Sequence, residues 1–186
     1  VFIAVGMVGC TNASHTDAIP SGNNTDKSTY NQIPIEVKNN QMMAGTVDVE
    51  GPGIVVTLSD GNSSTKHEPA FLIHDVDILN VINQLLAAEA EAISVNDERL
   101  IASSSIYAEG TKVIINGNLY TSPFVIKSIG NSEKMLETLE TKGSPVEVLR
   151  HLGQEITIEK SESLSIPKYK GEVNFKYAKP VDNKNP

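Results

Sequence analysis

From residue 75 onward the apolar positions Ile78, Val81, Ile82, Leu85 and Leu86 recur at helical spacing, which predicts a helix with one buried face. Asp75 stands where an N-cap is expected, and Asp77 falls in the first turn, where the helix dipole favours a carboxylate. After Ala92 the period changes to that of strands: Ile93 and Val95, then Leu100 to Tyr107, Val113 to Ile115 and Phe124 to Ile129. Asn116-Gly117 lies between Val113–Ile115 and Leu119-Tyr120 and predicts a tight hairpin. Upstream, Ile54 to Leu58 is a continuous, mostly β-branched run close to glycines, the pattern of a buried central strand. Downstream, Asn131 or Ser132 starts a short helix carrying Met135, Leu136 and Leu139, which stops at Gly143. Ser144-Pro145-Val146-Glu147 is a capping box with proline at the first helical position, and Gly153 ends the helix it starts. Gln154 to Lys160 alternates with Ile156 and Ile158 inward.

Helices alternating with short strands predict a single α+β domain, with a mixed or antiparallel sheet and helices mainly on one face. Ferredoxin-like topology is the nearest label. This domain is expected over residues 42–167. Ahead of it, residues 11–41 are rich in Asn, Ser, Thr and Asp without periodicity, the composition of a disordered polar tether. Residues 1–10, VFIAVGMVGC, are an apolar run that ends in a small residue and Cys10. They read as the end of a signal peptide with a lipobox-like cysteine, which makes Cys10 the candidate lipidation site. The alternative is a truncated transmembrane helix, since spanning takes about 20 apolar residues. Either anchor places the domain outside the cytoplasm, held at the bacterial cell membrane. Residues 168–186 form a tail with five lysines against two acids, in which Val173, Phe175 and Tyr177 alternate. That alternation would let the tail lie extended on the domain or on a neighbour.

Composition narrows the classes of function. The formal net charge of −8 argues against nucleic acid, which demands a basic face. A single cysteine excludes a disulfide framework and any cysteine-based metal site. His15, His67, His74 and His151 show no metal-ligand spacing, and His74-Asp75-Val76-Asp77 is better explained by helix capping. Ser103-Ser104-Ser105 lacks a nucleophile elbow, and Glu89 and Glu91 at a helix end point different ways. The polar loop Ser59 to Ala70 lacks phosphate-loop spacing: Gly61 stands alone and Lys66 is followed by His67. No cofactor and no metal is expected.

The series GPGIVVTL, IHDVDILNVINQL, AEAISVNDERL, VIINGNLYTSPFVIKSIG and IPKYKG…FKYAKPV resembles the YlxW-like bacterial family, the domain of unknown function numbered 881, over residues 42–181. The resemblance implies a surface-anchored protein, mostly from Gram-positive bacteria and often encoded near cell-division genes. Family members usually begin with a transmembrane helix and a coiled coil, where this chain has Cys10 and a polar tether. They tend to carry arginine at the positions of Leu86 and Tyr107, whereas Asn96, Arg99, Asn116 and Gly117 match. The expected function is therefore a non-enzymatic, membrane-tethered envelope module that binds a protein or cell-wall polymer, linked to division or sporulation. The alternative is a small-ligand sensor, with a pocket between the first helix and the strand turns. For either, Asp75, Asn96, Arg99, Asn116 and Gly117 are the candidate ligand or partner contacts. A concave cavity with converging polar groups would favour the sensor, and a filled core with an exposed sheet edge the module.

Overall fold

The computed structural model describes residues 34–61 and 71–181. In chain order these form α1 (Ile35–Met43), β1 (Val49–Ser59), α2 (Asp75–Ala87), β2 (Ala92–Val95), β3 (Glu98–Arg99), β4 (Ile106–Glu109), β5 (Lys112–Ile115), β6 (Asn118–Tyr120), β7 (Phe124–Ile129), α3 (Ser132–Glu140), α4 (Pro145–His151) and β8 (Glu155–Ile166). The main sheet runs β3-β2-β7-β1-β8, and every pairing in it is antiparallel. Setting β3 aside, the order β1, α2, β2, β7, α3 and α4, β8 is a β-α-β-β-α-β chain, and the spatial order β2-β7-β1-β8 interleaves its two halves. This is the split β-α-β arrangement of ferredoxin-like folds. Strands β4, β5 and β6 form a separate three-stranded antiparallel sheet inserted between β2 and β7.

Alternation along the strands divides the apolar residues between two faces. Ile54, Val56 and Leu58 of β1, Ile93 and Val95 of β2, and Phe124 and Ile126 of β7 form one large core with the apolar faces of α2, α3 and α4. Val113 and Ile115 of the small sheet extend it. The opposite face carries a smaller cluster of Ala92, Ile129, Leu164 and Ile166. Leu164 and Ile166 reach it because the β1/β8 register shifts between Gly51 and Gly53, which re-aims the end of β8. Close approach demands glycine at 53, where a Cβ would stand 2.0 Å from the Ser128 carbonyl oxygen.

Local signals behave as the residue chemistry requires. Asn131 Oδ1 accepts from Lys134 N and Ser144 Oγ from Glu147 N, each capping its helix. Asn116 and Gly117 take φ of 50° and 84°, the left-handed pair of a two-residue hairpin between β5 and β6.

Four expectations need correction. Leu86 is 54% exposed: it lies on the flank of α2, while Ile78, Val81, Ile82 and Leu85 supply the buried stripe. The cap of α2 is His74, whose backbone N–H donates to the Asp77 carboxylate, so Asp75 is the first helical residue. Leu100 to Tyr107 is not one strand. The chain turns at 102–103, held by Ser104 Oγ accepting from Ile101 N, and pairs again only from Ile106. Finally, α1 occupies residues expected to lie in the polar tether, with Pro34 leading into it. In the tail, Lys168 N donates to Asp48 Oδ1 and Tyr169 N to the Gly45 carbonyl. Beyond that contact Phe175 and Tyr177 are exposed, and no strand forms among the described tail residues. Cys10 lies outside the described residues.

Candidate functional site

The site begins with the shortest strand. Asn96 and Asp97 adopt φ of 49° and 61° and make a two-residue turn that folds Glu98-Arg99 back on β2, pairing Ser94 with Arg99 and Val95 with Glu98. Consecutive strand residues point to opposite faces, so this dipeptide sends an acid one way and a base the other. Both are buried, each 3% exposed.

Glu98 is well satisfied. Its Oε1 accepts from Tyr120 Oη at 2.9 Å, Lys170 Nζ at 2.9 Å and Asn118 Nδ2 at 3.2 Å. Burial, reinforced by the bond to Glu98 and its charge, pushes the Tyr120 hydroxyl up to about 12. This acid joins the small sheet and the start of the tail to the edge of the main sheet.

Arg99 is not satisfied. Its Nη2 donates to the Met42 carbonyl at 3.0 Å, while Nε and Nη1 are buried without a hydrogen-bond partner. Among the described residues no carboxylate forms an ion pair with it. Burial lowers its pKa below the ordinary arginine value, and the group remains charged. Ser94 Oγ, fully buried on the paired residue, also lacks a partner. A buried charge is normally paired, because leaving water costs an ion several kcal/mol.

Arg99 lines two clefts. One, of about 310 Å³, runs along the C-terminal half of α2 and is walled by Ile82, Leu86, Ile93, Leu100 and Ile101. The other, of about 390 Å³, lies toward α1 and is walled by Met42, Val49, Glu50 and Ile129. Arg99, Glu91, Ala92 and Met43 line both. The turn after α1 is held close by Gly45, whose φ is +69° and where a Cβ would stand 2.4 Å from Ile101 Cγ2. In the sequence Gly45 carries no turn signal beyond being a single glycine between Ala44 and Thr46.

The other candidates have structural duties. Asp75 Oδ1 accepts from Val76 N, and its Oδ2 from Ala108 N, tying α2 to β4. Asn96 Oδ1 accepts from Val125 N at 2.7 Å and locks the β2–β3 turn to β7. Asn116 Nδ2 donates to the Arg99 carbonyl at 3.0 Å and steadies that strand from behind, with Gly117 completing the turn. Of the five, only Arg99 lines these two clefts; one of them runs along α2, as the expected pocket would, but neither is lined by Asn96 or Asn116. Among the described residues no group of three His, Cys, Asp or Glu side chains could hold a metal ion, and no helix is long and apolar enough to cross a membrane.

Comparison with known proteins agrees with this fold. The family described as "Bacterial protein of unknown function (DUF881)" matches residues 36–179. The UPF0749 protein YlxW of Bacillus subtilis is 28% identical over 143 residues, covering 76% of this chain and 62% of that protein. The UPF0749 protein Rv1825 of Mycobacterium tuberculosis is 21% identical over 169 residues, covering 89% of this chain and 55% of that one. The chain thus spans less than two thirds of the length of these relatives. A crystal structure of an uncharacterized conserved protein from Mycobacterium tuberculosis superposes with a TM-score of 0.65 at 21% identity, over 78% of this chain and 99% of that one, and shares the fold.

Proposed function

We propose that this chain, which belongs to the bacterial DUF881 family, is a non-enzymatic binding module of the cell envelope, tethered to the outer face of the membrane by its N-terminal segment. The observation that carries the binding role is Arg99, a residue that lines both clefts and keeps two buried nitrogens without partners. Unpartnered buried donors cost a fold stability, whereas a recognition site has a use for them. The clefts favour recognition of a small chemical group over docking along the long edge strand β8, whose charged residues Glu155, Glu159, Lys160 and Glu162 blunt it against added strands. The tether is supported by the apolar run ending at Cys10 and by the polar stretch that follows. Such a module would report on, or hold, a component of the envelope during division or sporulation.

The test of the tether is fractionation of the native organism, with protease added to intact spheroplasts. Wild type is expected in the membrane fraction and sensitive to external protease, and Cys10→Ala is expected to keep its signal segment uncleaved and change its detergent partitioning. A soluble, protease-protected wild-type protein would sink the proposal. An unchanged Cys10→Ala variant would sink the lipid anchor.

A further inference from the structure

We infer that the Arg99 site takes a monocarboxylate with a short apolar body, bound by the guanidinium as a two-pronged salt bridge while its body occupies the apolar cleft beside α2. The inference rests on the reading of this chain as a binding module and names the ligand class of that site.

Three observations define the ligand. The first is the state of the guanidinium. Met42 takes one of the two hydrogens on Nη2, whereas Nε and Nη1 are free. A guanidinium presents two edges, Nε with Nη2 and Nη1 with Nη2. Whichever Nη2 hydrogen Met42 uses, the other still lies parallel to a free neighbour and can receive both oxygens of a carboxylate. Arg99 is 3% exposed and its free nitrogens are buried, so a carboxylate reaches them only as the cleft wall shifts, and the pairing then forms where most water is excluded.

The second observation is the charge at the rim. Glu91 lines both clefts and Glu50 lines one, and both are exposed. These acids oppose a dianionic phosphate more strongly than a carboxylate carrying one charge, and the chain as a whole is acidic. The third is the wall: Ile82, Leu86, Ile93, Leu100 and Ile101 offer an apolar surface next to the charge. At about 310 Å³ the cleft sits at the small end of ligand sites, which suits a short side chain or a short acyl chain.

Two chemical sources carry this group: a short fatty acid, and the C-terminal apolar residue of a peptide. Hexanoate and N-acetyl-leucine represent them. Each is titrated into the full chain by calorimetry or NMR, with inorganic phosphate as competitor. The variants are Arg99→Met, Arg99→Lys and Leu86→Asn, the last on a half-exposed wall residue that the core does not need.

At least one carboxylate is expected to saturate the wild type. Arg99→Lys, which keeps the charge but loses the fork, should bind about tenfold more weakly or worse. Arg99→Met should not bind, Leu86→Asn should bind more weakly than wild type, and phosphate should not compete. Saturation by N-acetyl-leucine alone assigns the peptide source, and by hexanoate alone the acyl source. The inference is overturned if neither carboxylate saturates the folded wild type. It is equally overturned if folded Arg99→Met binds as tightly, or if phosphate displaces the carboxylate at equal concentration. A failed titration beside a protein that fractionates with the outer membrane face removes the ligand class and leaves the tethered module standing.

Discussion

Arg99→Met should make the protein more stable, although it deletes a buried side chain with a hydrogen bond. In the wild type the guanidinium gains one charge-assisted bond, to the Met42 carbonyl, worth about 1.5–3 kcal/mol. Against it stand a desolvated charge without a counter-ion and two nitrogens without acceptors, at about 1–3 kcal/mol for each unmet donor. Methionine keeps much of the aliphatic stem of arginine and fills irregular space. The Met42 carbonyl keeps a donor without the guanidinium, since the Gly45 N–H also bonds it at 3.1 Å. Replacing buried ionic groups by apolar residues of similar volume stabilises other proteins by about 1–4 kcal/mol, and the same range is expected here. Urea denaturation at pH 7 should show a higher midpoint with an unchanged slope. Loss of more than about 1 kcal/mol at constant slope would refute the reasoning, because it would mean that the guanidinium anchors the fold. A gain in stability with a loss of binding would be the trade expected of a recognition residue.

Two further outcomes follow from burial. Leu85→Ala should cost about 2–5 kcal/mol and Leu86→Ala less than about 1 kcal/mol, so equal melting shifts would contradict the placement of the two on α2. Tyr120, held neutral in the fold up to about 12 against an ordinary 10, favours the folded state fully below pH 10. Its contribution declines as pH rises from 10 to 12, because the unfolded chain has by then released a proton that the folded one retains. In Glu98→Gln, an ultraviolet titration of the phenolate should show the Tyr120 value falling toward 10 without reaching it, since burial is the larger cause. An unchanged value would remove Glu98 from the account.

The main elements were legible in the chain because their signals are local. Helical spacing, two capping residues, an Asn-Gly turn and a run of β-branched residues each act within a few positions, and they located α2, α3, α4, β1 and the β5–β6 hairpin. The misreadings share a cause. Leu86 has the spacing of a core residue, but only the directions from which α3, α4 and the sheet approach α2 decide which apolar positions are covered. Residues 100–107 have the composition of a strand, but pairing requires a neighbour, and the turn at 102–103 leaves none until Ile106.

The family could be recognised from the series of segments, while the site could not be built from it. Asp75, Asn96 and Asn116 look like binding residues because polar side chains at turns and caps serve structure and recognition alike. Only folded does each show a backbone partner that accounts for it. Arg99 stands in the sequence beside them as one candidate among five, with nothing to set it apart. What makes it a site is that a two-residue strand at the sheet edge turns it away from Glu98, and that α1 closes over it while offering a single carbonyl. The residue types were in the sequence, but the lack of a counter-charge around a buried guanidinium is a property of everything packed near it, and that exists only in three dimensions.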